Sequence, residues 1–338
     1  MEKLRIGIAG LGRLGKVHAG NIANKIPNAE LTAACSIVPA ELEYAKNNLG
    51  VTDVYTDYRE MLAKADIDAV AIVTTSSEHC WQIEAALDAG KHVFSEKPLG
   101  VDVDQCRQAE AAVEKHPELT FMLGFMRRYD KSYAYAKKKI EEGAIGTPYL
   151  VKGTGIDPEA LVDGAIRFAA TSGGIFLDMA IHDIDLMRWF LGAEATEVYA
   201  AGATFKHPEF KEAGDDETGV AVFKFENGAL GMIHVGRTAP HGYHVETEIV
   251  GTEGTIRISA VPEKNLARLY NTNGVCAECV ESFPERFAEA YLTEMEEFVD
   301  CALQGKQTGT SVYDGTKSTI IGYAATEAWK TGKIVKIE

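Results

Sequence analysis

Asp178 and His182 stand four residues apart in the run Gly173-Gly174-Ile175-Phe176-Leu177-Asp178-Met179-Ala180-Ile181-His182-Asp183-Ile184-Asp185. On a helix that spacing puts both side chains on one face. A carboxylate beside an imidazole fixes the ring's tautomer and makes it a better proton acceptor. Lys97 is a second group that could do chemistry. It follows the apolar run at 92–95 and Glu96, and Pro98 comes next to fix the turn. The third element is Gly10-Leu11-Gly12-Arg13-Leu14-Gly15. Glycines at that spacing let the chain turn tightly and bring backbone N–H groups up to a pyrophosphate at a helix N-terminus. An Asp/His pair alone is most often a solvated ion pair, and a lone lysine is most often surface. Beside a glycine loop in its proper context they read as a proton acceptor, a hydrogen-bond donor and a dinucleotide cradle.

The elements that must position these groups alternate along the first half of the chain. Strands are expected at 4–9, 30–35, 54–55, 69–73, 92–95 and 120–124. Helices are expected from Lys16 through His18 onward and at 39–49, 58–64, 80–89 and 103–115. Continuously apolar strands joined by helices make a doubly wound parallel sheet. Ligands of such a sheet bind at the strands' carboxyl ends, where Thr74, Thr75, Ser76 and His79 follow one strand and Glu96 and Lys97 another. A ribose-binding acid is usual about 20 residues past the glycines. Ser36, followed by Ile37, stands there instead, and Arg13 could attract a 2′-phosphate. These two residues leave use of NADP open beside NAD.

From Met126-Arg127-Arg128-Tyr129-Asp130 the pattern changes. A helix at 131–142, a strand at 149–153 and one amphipathic helix at 173–190 precede strands at 198–203, 218–225, 229–235, 245–251 and 255–259. Helices return at 287–304 and 313–331. This half should be a largely antiparallel sheet with helices, giving domains at 1–125 and 126–338. The 338 residues are 46% hydrophobic and 25% charged, with a net charge of −16. An ordinary soluble globular protein of two domains fits those figures, and the negative charge disfavours nucleic acid or an anionic membrane as partner. No apolar run reaches membrane-spanning length. The N-terminus lacks the apolar core of a secretion signal. Cysteines 35, 80, 106, 276, 279 and 301 show no disulfide framework or complete zinc spacing, so free thiols in the cytoplasm are expected.

The glycine loop, Glu96-Lys97-Pro98 and Gly173-Gly174-x-x-x-Asp178-x-x-x-His182-Asp183, in that order, resemble the glucose-fructose oxidoreductase/inositol dehydrogenase family over essentially the whole chain. Gly124-Phe125-Met126-Arg127-Arg128-Tyr129-Asp130 and Phe287-x-x-Ala290-Tyr291 resemble its inositol dehydrogenase branch. The resemblance implies an α/β protein, with an N-terminal doubly wound Rossmann domain and a C-terminal α+β domain bearing a large, mostly antiparallel open sheet. It implies an NAD(P)-dependent oxidation of a secondary hydroxyl on a cyclic polyol, myo-inositol foremost, and a homotetramer. Lys97, Asp178 and His182 would be the catalytic set, with Met126 and Arg127 lining the crevice. On that reading His182 is the general base, Asp178 orients it, Lys97 steadies the developing alkoxide, and activity rises as the histidine loses its proton. Arg127, Asp157 and Tyr243 join them as expected substrate contacts, Asp157 and Tyr243 from loops at 155–163 and 238–243. A scyllo-inositol or pyranose dehydrogenase is the near alternative, and a non-catalytic nucleotide sensor the distant one. A metal site from Asp178, His182, Asp183 and Asp185 is disfavoured, because roughly 100° separates adjacent helical residues and the four cannot converge.

Overall fold

The computed structural model describes residues 3–258 and 263–337. The chain divides into two compact units, one up to Tyr129 together with Glu289–Thr319, the other of Asp130–Ala288 together with the chain from Ile320 onward.

The first unit is built on a parallel sheet of β1 (Leu4–Ala9), β2 (Ala29–Cys35), β3 (Asp53–Tyr55), β4 (Ala69–Ile72), β5 (His92–Glu96) and β6 (Phe121–Gly124), in spatial order β3-β2-β1-β4-β5-β6. Its inner strands are short, apolar and almost wholly buried, as strands covered by helices on both faces must be, while the edge strand β3 is more exposed. Helix α1 (Arg13–Asn24) leaves the β1 turn, and α2 (Pro39–Leu49), with proline in its first turn, follows β2. Ile6, Ile8, Phe94 and Met122 form one core with Met295, Phe298 and Val299 from a late helix.

The second unit carries a seven-stranded sheet. Its members include β7 (Pro148–Pro158), β8 (Ala195–Ala203), β9 (Thr218–Phe225), β10 (Leu230–Ala239), β11 (His244–Gly251) and β12 (Thr255–Ile258), in order β12-β11-β7-β10-β9-β8 with Val335–Lys336 at the far edge. All its pairings are antiparallel except β7 with β10. Burial alternates along β9 and β11, so one face packs inward. The expected strand 255–259 is seen to Ile258; Ser259 lies outside the described residues.

Three expectations are corrected here. The strand beginning near 149 does not stop at 153: β7 runs through Gly155 and Asp157 to Pro158, and a helix at Val162–Ala169 follows, so 155–163 is not one loop. Likewise β10 extends through Thr238 to Ala239. The helix expected at 173–190 is two helices, α3 (Ile175–Asp178) and α4 (Ile181–Leu191). Gly173 and Gly174, at φ +82° and +88°, start the segment in a backbone region that side chains disfavour. Ala180 N then bonds to Ile175 O at 3.2 Å, five residues back, which widens the turn and breaks the ladder between Asp178 and Ile181. The late helices α5 (Ala288–Gln304) and α6 (Val312–Thr331) lie within a residue of their expected starts. Among the described residues no helix is long and apolar enough to cross a membrane.

Candidate active-site groups in the two units

In the first unit the candidate groups lie at the carboxyl ends of β1, β2, β4 and β5. Gly10 sits at φ +89°, and a Cβ there would collide with the Val73 carbonyl; one on Gly15 would collide with the Gly10 carbonyl. These two glycines are demanded by the backbone itself. Gly12 is different, because a Cβ there would meet nothing within 4 Å. The space beside it, at the start of α1, is a cradle for a ligand rather than a packing requirement. That helix has no side-chain cap and no acid in its first turn, so its leading N–H groups suit an anion such as a pyrophosphate. A dinucleotide fits this unit. Arg13 and Leu14 open α1, and Leu11 is buried behind them.

Ser36 follows β2, and an acid reaches it from α2. The Ser36 hydroxyl donates to Glu41 Oε2 at 2.6 Å, and the same oxygen accepts the Leu11 N–H of the glycine loop at 3.3 Å. Glu41 was not singled out from the sequence; an acid in the first turn of the helix after β2 was the available signal. Ile37, beside Ser36, is 86% exposed and offers an apolar surface. Thr74 donates to Gln82 at 2.6 Å, and Thr75 precedes the short turn Ser76–Glu78. His79 is buried, with Nδ1 2.8 Å from Pro98 O and Nε2 3.2 Å from Thr74 O. Burial pushes its ring below the ordinary histidine range. A neutral ring donates once, best to Pro98, so His79 ties the β4 loop to the Lys97–Pro98 turn. Lys97 is half-buried, its backbone N–H donating to Glu96 Oε2 at 3.1 Å. Met126 and Arg127 are buried in the turn after β6.

In the second unit the candidate groups lie on α3, α4 and the ends of β7 and β10. Asp178 closes α3, and its Oδ2 accepts Arg237 Nη2 at 3.0 Å. Arg237, from β10, is 2% exposed, lies 3.7 Å from Asp215 Oδ2 and rests over the Phe210 ring. Asp215 in turn accepts the Ile175 N–H at 2.9 Å, so one carboxylate fixes the start of α3 and faces the guanidinium that fixes its end. Burial raises the Asp215 carboxyl above its ordinary range. Arg237 was missed from the sequence, where nothing marks a strand arginine 59 positions from its partner. His182 is on the first turn of α4 and buried. Asp183 packs instead against β7, where a Cβ on Gly153 would come within 2.6 Å of its carboxylate. Asp157 is half-buried near the end of β7, and Tyr243 is buried edge-on to Phe287 at 6.2 Å.

Two family profiles match this chain. An oxidoreductase family described as an NAD-binding Rossmann fold covers residues 4–125, and the GFO/IDH/MocA C-terminal domain covers 133–257. The scyllo-inositol 2-dehydrogenase (NAD(+)) of Bacillus subtilis is 35% identical over 100% of this chain and 97% of its own. The crystal structure of scyllo-inositol dehydrogenase from Lactobacillus casei with bound NAD(H) and scyllo-inositol superposes with a TM-score of 0.96, at 48% identity over 99% of each chain. That of myo-inositol 2-dehydrogenase from Lactobacillus plantarum does so at 0.97, with 41% identity over 100% of each.

Proposed function

Because the chain belongs to the GFO/IDH/MocA family of NAD-binding oxidoreductases, we propose that it oxidises an inositol at C2 with NAD, giving 2-keto-myo-inositol. The full-length likeness to enzymes named for this activity is the observation that carries the reading. Myo- and scyllo-inositol are epimers at C2, so oxidation there yields one ketone from either. Myo-inositol is the first substrate to test; the 48% identity to a scyllo-inositol enzyme favours the epimer as the second.

When bound, NAD accepts the hydride from the alcohol carbon. The protein's part is to hold the ring and move the proton. In this reading His182 takes the proton from the C2 hydroxyl, and Asp178 orients the imidazole and accepts from a neighbouring hydroxyl. Lys97 donates to the oxygen as negative charge develops on it. The hold on Asp178 by Arg237 supports this assignment, since a substrate-orienting carboxylate must itself be fixed. Asp157, Arg127 and Tyr243 are proposed to read the remaining hydroxyls. Assays of myo-inositol, scyllo-inositol, other epimers and glucose, each with NAD and NADP, test the proposal. Turnover of an inositol with NAD is expected; turnover of a pyranose alone would overturn it.

The assembly we propose is a homotetramer. Tyr199, Val222 and Met232 stand in register on β8, β9 and β10, each about half exposed, with Val220 and Leu230 beside them. An apolar row of that kind on an open sheet suits burial against a second copy. Sedimentation at micromolar concentration should give a tetramer, and a monomer would refute the assignment. The proposed compartment is the cytoplasm, which suits six free cysteines.

A further inference from the structure

Within the first unit, three titratable side chains from three separate elements converge away from water. They are His18 on α1, Glu96 at the end of β5 and Glu294 on α5, each offering an atom within 4.8 Å of the others. His18 Nε2 is 2.8 Å from Glu96 Oε1, and Glu96 Oε2 accepts the Lys97 backbone N–H. Both carboxylate oxygens of Glu96 are thus engaged, one by α1 and one by the turn that presents Lys97. Glu294 is wholly buried, and among the described residues neither of its oxygens has a hydrogen-bond partner. Tyr291, Met295 and Phe298 on the same helix are buried too, and Phe94 packs on the His18 ring.

Two carboxyl groups this close and this dry cannot both be ionised. Glu96 is the better anion, because it is hydrogen-bonded on both oxygens. We propose that Glu294 is a positioning residue, holding a proton at neutral pH so that Glu96 carries the one negative charge of the cluster and keeps the Lys97 turn in place. Burial beside Glu96 indeed drives the Glu294 carboxyl well above its ordinary range. Other titratable groups near Glu294 are Tyr291, three residues back on α5 and edge-on to His18, and Tyr129, from the turn after β6, which bonds to Glu297 at 3.0 Å. A cation in the cluster is the competing occupant. It is disfavoured because His18 already spends its Nε2 on Glu96.

The kinetic part rests on Lys97 acting as proposed above; the stability part does not, so the two fail separately. A carboxyl group that stays protonated in the folded chain and ionises on unfolding makes stability fall as pH rises above the ordinary glutamate range, until the folded group itself ionises. Full-length wild type, E294Q and E294M should be unfolded in urea at pH values from 5 to 9. Both variants lack the proton, so the folding equilibrium constant of each should gain on wild type by about tenfold per pH unit. E294M, apolar and of similar volume, keeps the test alive should E294Q fail to fold. At pH 7, E294Q should keep kcat within a few-fold of wild type, whereas E294A should lose about tenfold in kcat with little change in KM for NAD. A pH dependence of stability parallel to wild type in both neutral variants would overturn the proposal. So would one divalent ion bound per wild-type chain and lost in E294Q, or equal kcat in E294A and wild type.

Discussion

The two sheets of this protein solve the same problem differently. In the first, the central strands are buried on both faces and the candidate groups sit on turns at the carboxyl ends. There the geometry comes from the backbone: Gly10 and Gly15 are dictated by carbonyls that leave no room for a side chain, while Gly12 faces open space. In the second, strands alternate between a buried and an exposed face, and the functional groups sit on a helix broken in two. Asp178 owes its position to Arg237 and Asp215, residues far along the chain. The glycine loop is thus shaped by backbone, including the Val73 carbonyl after β4, whereas Asp178 is held by side chains from distant parts. Substitutions in the second unit should strike the chemical step and the fold together, whereas those in the first should be separable.

Removing the proposed base should produce the largest kinetic effect. His182→Ala is expected to lower kcat by about 10²-fold or more with the Kd for NAD nearly unchanged. Turnover within a few-fold of wild type would show that the second unit does not supply the proton acceptor. Arg237→Leu tests the assembled character of that unit. It takes away a guanidinium that two carboxylates face, 2% exposed, and breaking a buried charge arrangement costs about 3–5 kcal/mol. Urea unfolding should show that loss, accompanied by a fall in kcat. A variant as stable as wild type would mean that Asp178 is fixed by other contacts.

How far the sequence could be read follows the same division. The β-α alternation, the glycine loop and the Lys97 turn were legible because apolar runs and turn residues are local signals, and α2 and β9 have the expected bounds. The run 173–190 was legible as apolar and helical, but its break was not, since the carbonyl shift at Ala180 has no residue signature. The extension of β7 past Gly153 was hidden because Gly155 and Pro158 resemble turn residues, and only pairing with β10 and β11 overrides that. Arg237 and Glu294 were invisible for a common reason. A charged residue in a strand or helix reads as a solvated face unless its buried partner is known.

Cofactor choice should show the smallest effect, and it separates two readings of the first unit. Taken alone, Ser36 predicts loosened discrimination, because a neutral hydroxyl does not repel a 2′-phosphate. The Ser36 hydroxyl, however, donates to Glu41, whose carboxylate also reaches the Leu11 N–H. An acid anchored to the end of β2 and to the glycine loop stands close to where an acid on β2 itself would lie. Glu41 is thereby expected to be the residue that disfavours NADP, with Ser36 as its anchor. A charged hydrogen bond contributes about 1.5–3 kcal/mol, and Gln keeps part of the polar contact, so Glu41→Gln should raise kcat/KM for NADP relative to NAD by about tenfold. Ser36→Asp, which on the simpler reading sharpens NAD preference, should instead set two carboxylates against each other and leave the ratio no sharper. Measuring kcat/KM for both cofactors in wild type and the two variants decides the matter. An unchanged ratio in Glu41→Gln together with a sharpened one in Ser36→Asp would return the specificity to Ser36.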